Sequence, residues 1–170
     1  EGVLYVGTDD GLVHASQDGG VTWRECKRPK GVSERIYVNH IWADRFEPET
    51  VYLVLDNHKA GDFAPYIFKS TSAGKSWESI TGDIPERHIV WRLVQDHEKP
   101  GLLFAGTEFG VFFTVDGGKQ WIQLNGDAPT ISFRDLAIQE RENDLVGATF
   151  GRSFWILDDY TPLRQGNEKA

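Results

Sequence analysis

Apolar and polar positions along this chain fall into short runs that recur in a fixed order. The segments His40-Ile41-Trp42-Ala43-Asp44, Trp91-Arg92-Leu93-Val94-Gln95-Asp96 and Phe133-Arg134-Asp135-Leu136-Ala137-Ile138 each read as a strand. Each is followed by a polar turn and a second β-rich run, at residues 50–55, 101–106 and 144–149, and an equivalent run at residues 3–7 opens the chain. A third strand follows, as in Tyr66-Ile67-Phe68-Lys69, Val111-Phe112-Phe113 and Phe154-Trp155-Ile156-Leu157. A fourth begins at a tryptophan, as in Trp77-Glu78-Ser79-Ile80 and Trp121-Ile122-Gln123-Leu124. No stretch of helical length keeps its apolar residues at spacings of three and four, and Gly, Pro and Asp interrupt the runs densely. The pattern predicts an all-β chain built from four-strand units.

The turn before each of these tryptophans has its own signature. It reads Ser16-Gln17-Asp18-Gly19-Gly20-Val21-Thr22-Trp23, then Ser70-Thr71-Ser72-Ala73-Gly74-Lys75-Ser76-Trp77, then Thr114-Val115-Asp116-Gly117-Gly118-Lys119-Gln120-Trp121. An Asp at the third position can accept hydrogen bonds from backbone N–H groups one or two residues on, and Gly tolerates the positive φ of a tight turn. The tryptophan can cover the turn and wedge between neighbouring sheets. Ser72 stands where the other copies carry Asp, and a hydroxyl caps more weakly, so the second unit is expected to be looser.

The pattern Ser/Thr-x-Asp-x-Gly-x-x-Trp resembles the Asp box of the BNR repeat, found in sialidases, sortilin-type ectodomains and some endoglucanases, all of them β-propellers. The tryptophans, at 23, 77 and 121, are spaced as four short strands plus turns require. The resemblance implies a partial β-propeller of two complete four-stranded blades, about residues 35–82 and 88–126, flanked by incomplete blades at about 1–30 and 131–160. That is too little for a closed ring. With no Met in the chain, it is expected to be a piece of a longer protein, and its open blade edges favour self-association. In such propellers the box lies at the rim, away from the ligand site. The box residues Ser16, Asp18, Gly20, Trp23, Ser70, Gly74, Trp77, Thr114, Asp116, Gly118 and Trp121 are accordingly read as structural. Gly106-Thr107-Glu108-Phe109-Gly110, Asp135-Leu136-Ala137-Ile138 and Gly151-Arg152-Ser153-Phe154-Trp155-Ile156-Leu157-Asp158-Asp159 look like landmarks of large secreted bacterial proteins labelled glycosyl hydrolase-like or sortilin-like. This implies an extracytoplasmic location.

Composition narrows the function. A net charge of −8 argues against nucleic-acid or anionic-membrane surfaces, which need concentrated positive charge. The single cysteine, Cys26, has no internal disulfide partner and removes a zinc site built on paired thiols. No apolar run is long enough for a membrane helix. No metal or other cofactor is expected.

Loops between the second and third strands of a blade, and between one blade and the next, open on the face where propellers usually bind ligands. They contain Asp9 and Asp10, the insertion from Asp56 to Phe63 with His58 and Asp62, Glu108, and Arg152. Asp9 and Glu108 occupy one repeat position, after Gly-Thr. Either they are polar hairpin residues, or they line an acidic funnel with Arg152 as counter-charge. The 56–63 insertion, a long loop in one blade only, is the leading binding candidate. Trp42, Trp91 and Trp155 read as inter-blade packing, with sugar stacking as the alternative. No catalytic residue can be carried over from the family: the chain lacks the sialidase Arg-Ile-Pro signature, and no Asp sits in an endoglucanase motif. The expectation is a non-catalytic module presenting loops to a protein or glycan. The alternatives are part of a glycoside hydrolase, with Asp56 or Asp62 and Glu108 across one cleft, or an assembly factor gripping a peptide.

Overall fold

Residues Val51-Tyr52-Leu53-Val54-Leu55 are apolar at every position, so a strand made of them presents an apolar surface on both faces and needs a partner on each. The computed structural model, which describes residues 2–166, supplies those partners by stacking four antiparallel sheets. The first holds β1 (Leu4–Gly7), β2 (Val13–Ser16) and β3 (Arg24–Glu25). The second holds β4 (Tyr37–Ala43), β5 (Val51–Asn57), β6 (Asp62–Ser70) and β7 (Glu78–Ser79). The third holds β8 (Val90–Gln95), β9 (Leu103–Thr107), β10 (Gly110–Thr114) and β11 (Ile122–Gln123). The fourth holds β12 (Phe133–Gln139), β13 (Asp144–Thr149) and β14 (Phe154–Leu157). Each sheet is a simple meander, and the fold is a partial β-propeller of two four-stranded and two three-stranded blades.

Strand periodicity assigns each side chain to one of three inter-blade cores. From β5, Leu53 and Leu55 enter the core shared with Val13, Ala15, Cys26 and Phe68, while Tyr52 and Val54 enter the core shared with Leu93, Leu103 and Phe112. From β9, Leu103 and Ala105 face back, whereas Phe104 faces forward against Phe133, Leu136 and Leu145. The unbroken apolar runs of the central strands are thus sheets covered on both sides.

The tryptophan turns join one blade to the one before. The Trp77 indole N–H donates to the Lys27 carbonyl at 2.6 Å and that of Trp121 to the Ile80 carbonyl at 2.9 Å, both in the preceding blade. Trp23, with no earlier blade among the described residues, donates to Gly20 of its own turn and is 44% exposed. Within the turns the carboxylate reaches further than expected. Asp18 accepts from the Thr22 amide at 2.9 Å, and Asp116 from the Lys119 and Gln120 amides at 2.9 and 3.2 Å, three and four residues on. Bonding to the Thr22 hydroxyl and amide and to Ser16 draws the exposed Asp18 carboxyl down to about 2. Ser72 caps the Ser76 amide at 3.2 Å, so the second turn keeps the same closure with one oxygen in place of two.

Glycine is required where the turn meets its neighbour. A Cβ on Gly74 would fall 2.3 Å from Cys26 Sγ, and one on Gly118 would fall 2.8 Å from Ile80 Cβ. Cys26 and Ile80 hold the same repeat position, each with its amide donating to the strand before it. Cys26 is therefore a buried packing residue. Open faces remain at the two ends, with Leu4 and Val6 exposed on β1 and Phe154 and Ile156 on β14.

A latch closes the opposite side of the third and fourth blades. Beyond β14 the chain turns into a 3-10 segment, Thr161–Gln165. The buried Tyr160 packs on Phe104, and its hydroxyl donates to Asp96 at 2.7 Å. Arg164 grips Asp96 through two N–H donors at 2.9 and 2.8 Å. Burial alone would raise the Asp96 carboxyl, but Arg164, Tyr160 and the Lys99 amide outweigh it and hold it at about 2.

Two outcomes test this packing. Gly74→Ala is expected to destabilise the chain by about 3 kcal/mol, whereas Gly19→Ala, with open space around it, costs about 1 kcal/mol from backbone strain alone; urea denaturation of the two variants checks this. Because the folded Asp96 group titrates below its unfolded value, its contribution of about 2 kcal/mol is complete above pH ~4 and is lost as pH falls toward about 2. Denaturation midpoints against pH should show that loss, and Asp96→Asn should remove it.

Candidate functional site

Each complete inner strand carries one extra residue. Register breaks between Val38 and His40 in β4, between Val90 and Arg92 in β8 and between Phe133 and Asp135 in β12 leave Asn39, Trp91 and Arg134 unpaired. A β-bulge re-aims the side chain it displaces, and here three consecutive blades carry it at one level. Asn39 donates across to the Val90 carbonyl at 2.9 Å. Trp91 and Arg134 turn instead into a cleft of about 260 Å³.

That cleft lies where blades two, three and four meet. The β5–β6 hairpin contributes His58 and Phe63, the segment leading into β8 contributes Arg87 and Ile89, and the β9–β10 turn contributes Glu108 and Phe109. Trp91 is at its centre. Its indole N–H donates to Glu108 Oε2 at 2.8 Å, the Arg134 guanidinium lies 3.7 Å over its ring, and the His58 ring meets it edge-on at 5.7 Å. Arg134 Nη2 stands 3.8 Å from Glu108, too long for a hydrogen bond. Arg87 holds a left-handed backbone, φ 67°, and its guanidinium sits 5.9 Å from the Phe63 ring. Phe63 and Phe109 are both more than 40% exposed.

His58 is held from behind. The buried Asp56 carboxylate accepts the His58 amide at 2.9 Å and contacts its Nδ1 at 2.6 Å, which leaves Nε2 as the ring nitrogen away from that contact. Below the cleft the channel side is stitched by polar pairs. Arg92 bonds Asp135 at 2.5 Å, and the Leu93 amide donates to His40 Nδ1 at 3.2 Å. Burial first, and then the Arg92 charge, lower the His40 imidazole to about 4, so it is neutral.

The residues singled out from the sequence divide. His58 and Glu108 come together in the cleft. Asp56 does not line it and acts through His58. Asp62 also lies outside, its oxygens taken by Ala64 N–H, Tyr66 Oη–H and the Asn57 side chain. The 56–63 insertion is not a long loop. Asp56–Asn57 continues β5, Asp62–Phe63 begins β6, Asn57 pairs with Asp62, and only a short 3-10 turn, His58–Ala60, separates them. Asp9 and Asp10 lie in the β1–β2 turn, where the Thr8 hydroxyl donates to Asp10, and neither lines this cleft. The cleft's counter-charge to Glu108 is Arg134 rather than Arg152, which sits in the exposed β13–β14 turn with its amide on Thr149. Trp91, expected as packing, faces the cleft because of its bulge, whereas Trp155 packs edge-on against Phe133 as a core residue. Arg87 and Arg134 escaped notice because neither belongs to a motif; the inner-strand alignment, which sets Trp91 beside Arg134, held the available signal.

No family model matches the chain. It is 24% identical over 188 residues to the xyloglucanase Xgh74A of Acetivibrio thermocellus, covering 98% of this chain but 22% of that protein. Its fold is similar to a solved structure of YCF48 bound to D1 peptide, with a TM-score of 0.66 at 18% identity over 93% of this chain and 48% of that one. It is also similar to the Dos1 propeller, with a TM-score of 0.64 at 11% identity over 92% of this chain and 42% of that one. The chain thus spans about a fifth of the curated relative and under half of these structures. What they share with it is the β-propeller fold, found alike in a glycoside hydrolase relative and in a peptide-bound protein.

Burial separates support from contact in this site. Asp56→Ala is expected to cost about 1 to 2 kcal/mol because it leaves the part-buried His58 amide and ring nitrogen without their acceptor, whereas Arg134→Ala, half in solvent, should cost under about 1 kcal/mol. Chemical denaturation followed by tryptophan fluorescence checks both.

Proposed function

We propose that this chain is a non-catalytic part of a β-propeller that binds a protein ligand, taking an extended peptide in the cleft around Trp91. The observation that carries the reading is the composition of that cleft. Among the described residues lining it, Glu108 is the only carboxylate. A glycoside hydrolase needs two carboxyl groups facing the scissile bond, and of the other two candidates Asp56 is buried behind His58 and Asp62 is bonded within its own hairpin outside the cleft. Nor is Trp91 an open platform for a sugar ring, since Arg134 lies on its face and His58 against its edge. What is offered outward is a pair of phenyl rings beside polar groups, which suits apolar and polar side chains of a peptide.

Peptide capture by the related fold, as in YCF48 bound to D1 peptide, supports this reading. The xyloglucanase likeness favours one competing reading, in which this segment belongs to a glycoside hydrolase and completes its site with residues elsewhere. The resemblance to secreted propellers supports an extracytoplasmic location in either case. The apolar end faces on β1 and β14 provide surfaces for self-association.

Thermal unfolding with a peptide library and with xyloglucan oligosaccharides separates the two readings. Peptide binding is expected to raise the Tm by a few degrees, to disappear in a His58→Ala/Phe63→Ala variant that still folds, and to leave sugars without effect. Release of reducing sugar that is lost on Glu108→Gln would overturn the binding reading.

A further inference from the structure

We infer that the cleft selects an acidic peptide, taking an Asp or Glu side chain between Arg134 and Arg87 while a neighbouring apolar residue rests on Phe63 and Phe109. This deepens the peptide-binding reading and rests on it. The argument begins from what the chain does with its arginines. Arg45 pairs with Glu140, Arg92 with Asp135, Arg141 with Glu142 and Arg164 with Asp96, each with an N–O distance under 3 Å. Arg24 and Arg28 donate to backbone carbonyls. Arg134 and Arg87 differ from these, as do the exposed Arg35 and Arg152, but of these four only Arg134 and Arg87 line this cleft. Arg134 approaches Glu108 only to 3.8 Å, and that carboxylate already accepts the Trp91 indole N–H. For Arg87, the contact among the described residues is the Phe63 ring.

In a chain of net charge −8, two such cations against one acid make this cleft a local exception in sign. Its geometry is also prepared for a carboxylate. A guanidinium lying 3.7 Å over an indole has one face against the ring, and its N–H donors remain for a planar, bidentate acceptor. The bulge at Arg134 and the left-handed backbone at Arg87 fix the points from which both side chains leave the chain. That lowers the ordering cost of binding. A neutral peptide would leave Arg87 without an ionic partner and Arg134 with only its 3.8 Å approach to Glu108, so discrimination against it comes from the site itself.

The test is fluorescence polarisation with matched capped peptides of the form Ala-Leu-Glu-Leu-Ala and Ala-Leu-Gln-Leu-Ala, at low salt and at about 0.15 M salt. The Glu peptide is expected to bind at least about tenfold tighter, with the preference reduced but present at the higher salt. Arg134→Gln and Arg87→Gln should each weaken the Glu peptide by about fivefold to tenfold and narrow its advantage over the Gln peptide by a similar factor, and Arg152→Gln should leave both peptides unchanged. Thermal unfolding confirms that each variant is folded. Equal binding of the two peptides, or equal losses in Arg152→Gln, overturns the acidic selection and leaves the peptide reading standing. Failure of every library peptide to bind overturns both.

Discussion

The structure depends on one constraint: a sheet that is apolar on both faces is stable only while both faces are covered. Strands such as β5 and β9 send alternate side chains into two different cores, so no blade owns a core of its own. Stability is therefore shared between neighbours, as in repeat proteins generally. The tryptophan turns make that dependence specific. Gly74 and Gly118 lie flush against Cys26 and Ile80, and the following indoles donate to carbonyls of the blade before. A blade that drifted outward would lose a packed side chain and an indole hydrogen bond together.

The same inner strands that carry the packing also carry the site. A regular strand at β8 or β12 would send every other residue into a core and the rest into the opposite core, with none left for the channel mouth. The bulge breaks that alternation once, at the end of the strand nearest the β5–β6 and β9–β10 turns. Trp91 and Arg134 are released there without disturbing Leu93 or Leu136, which remain buried. Rigid neighbours then hold them: Glu108 on the indole N–H, Asp56 behind His58. The latch through Asp96, Tyr160 and Arg164 ties blades three and four together on the other side.

The insertion at 56–63 shows how a correct element can be assigned the wrong form. Its polar residues suggest a loop, yet Asn57 and Asp62 close a ladder around a four-residue turn, because Asp62 satisfies the strand edge and Gly61 supplies a left-handed backbone, φ 82°. The hairpin is stiff, and it delivers His58 and Phe63 to the cleft while Asp62 stays outside. Arg152 and Arg134 show the complementary error. Both follow from the repeat, but only the bulged one is aimed at Glu108.

The strand order, the four-strand period and the structural part of the three tryptophan turns were decided by sequence, because they follow from side-chain alternation and from turn chemistry that acts within about eight residues. Glu108 and His58 were also legible, as polar residues at turns that open on one face. The cleft itself was decided by tertiary structure. A bulge is a mismatch between two strands, so neither strand states it alone, and it is the bulges that bring Trp91 and Arg134 beside Glu108 and His58. Whether a carboxylate faces the cleft or the protein, as with Asp56 and Asp62, depends likewise on which donors the folded neighbours present to it.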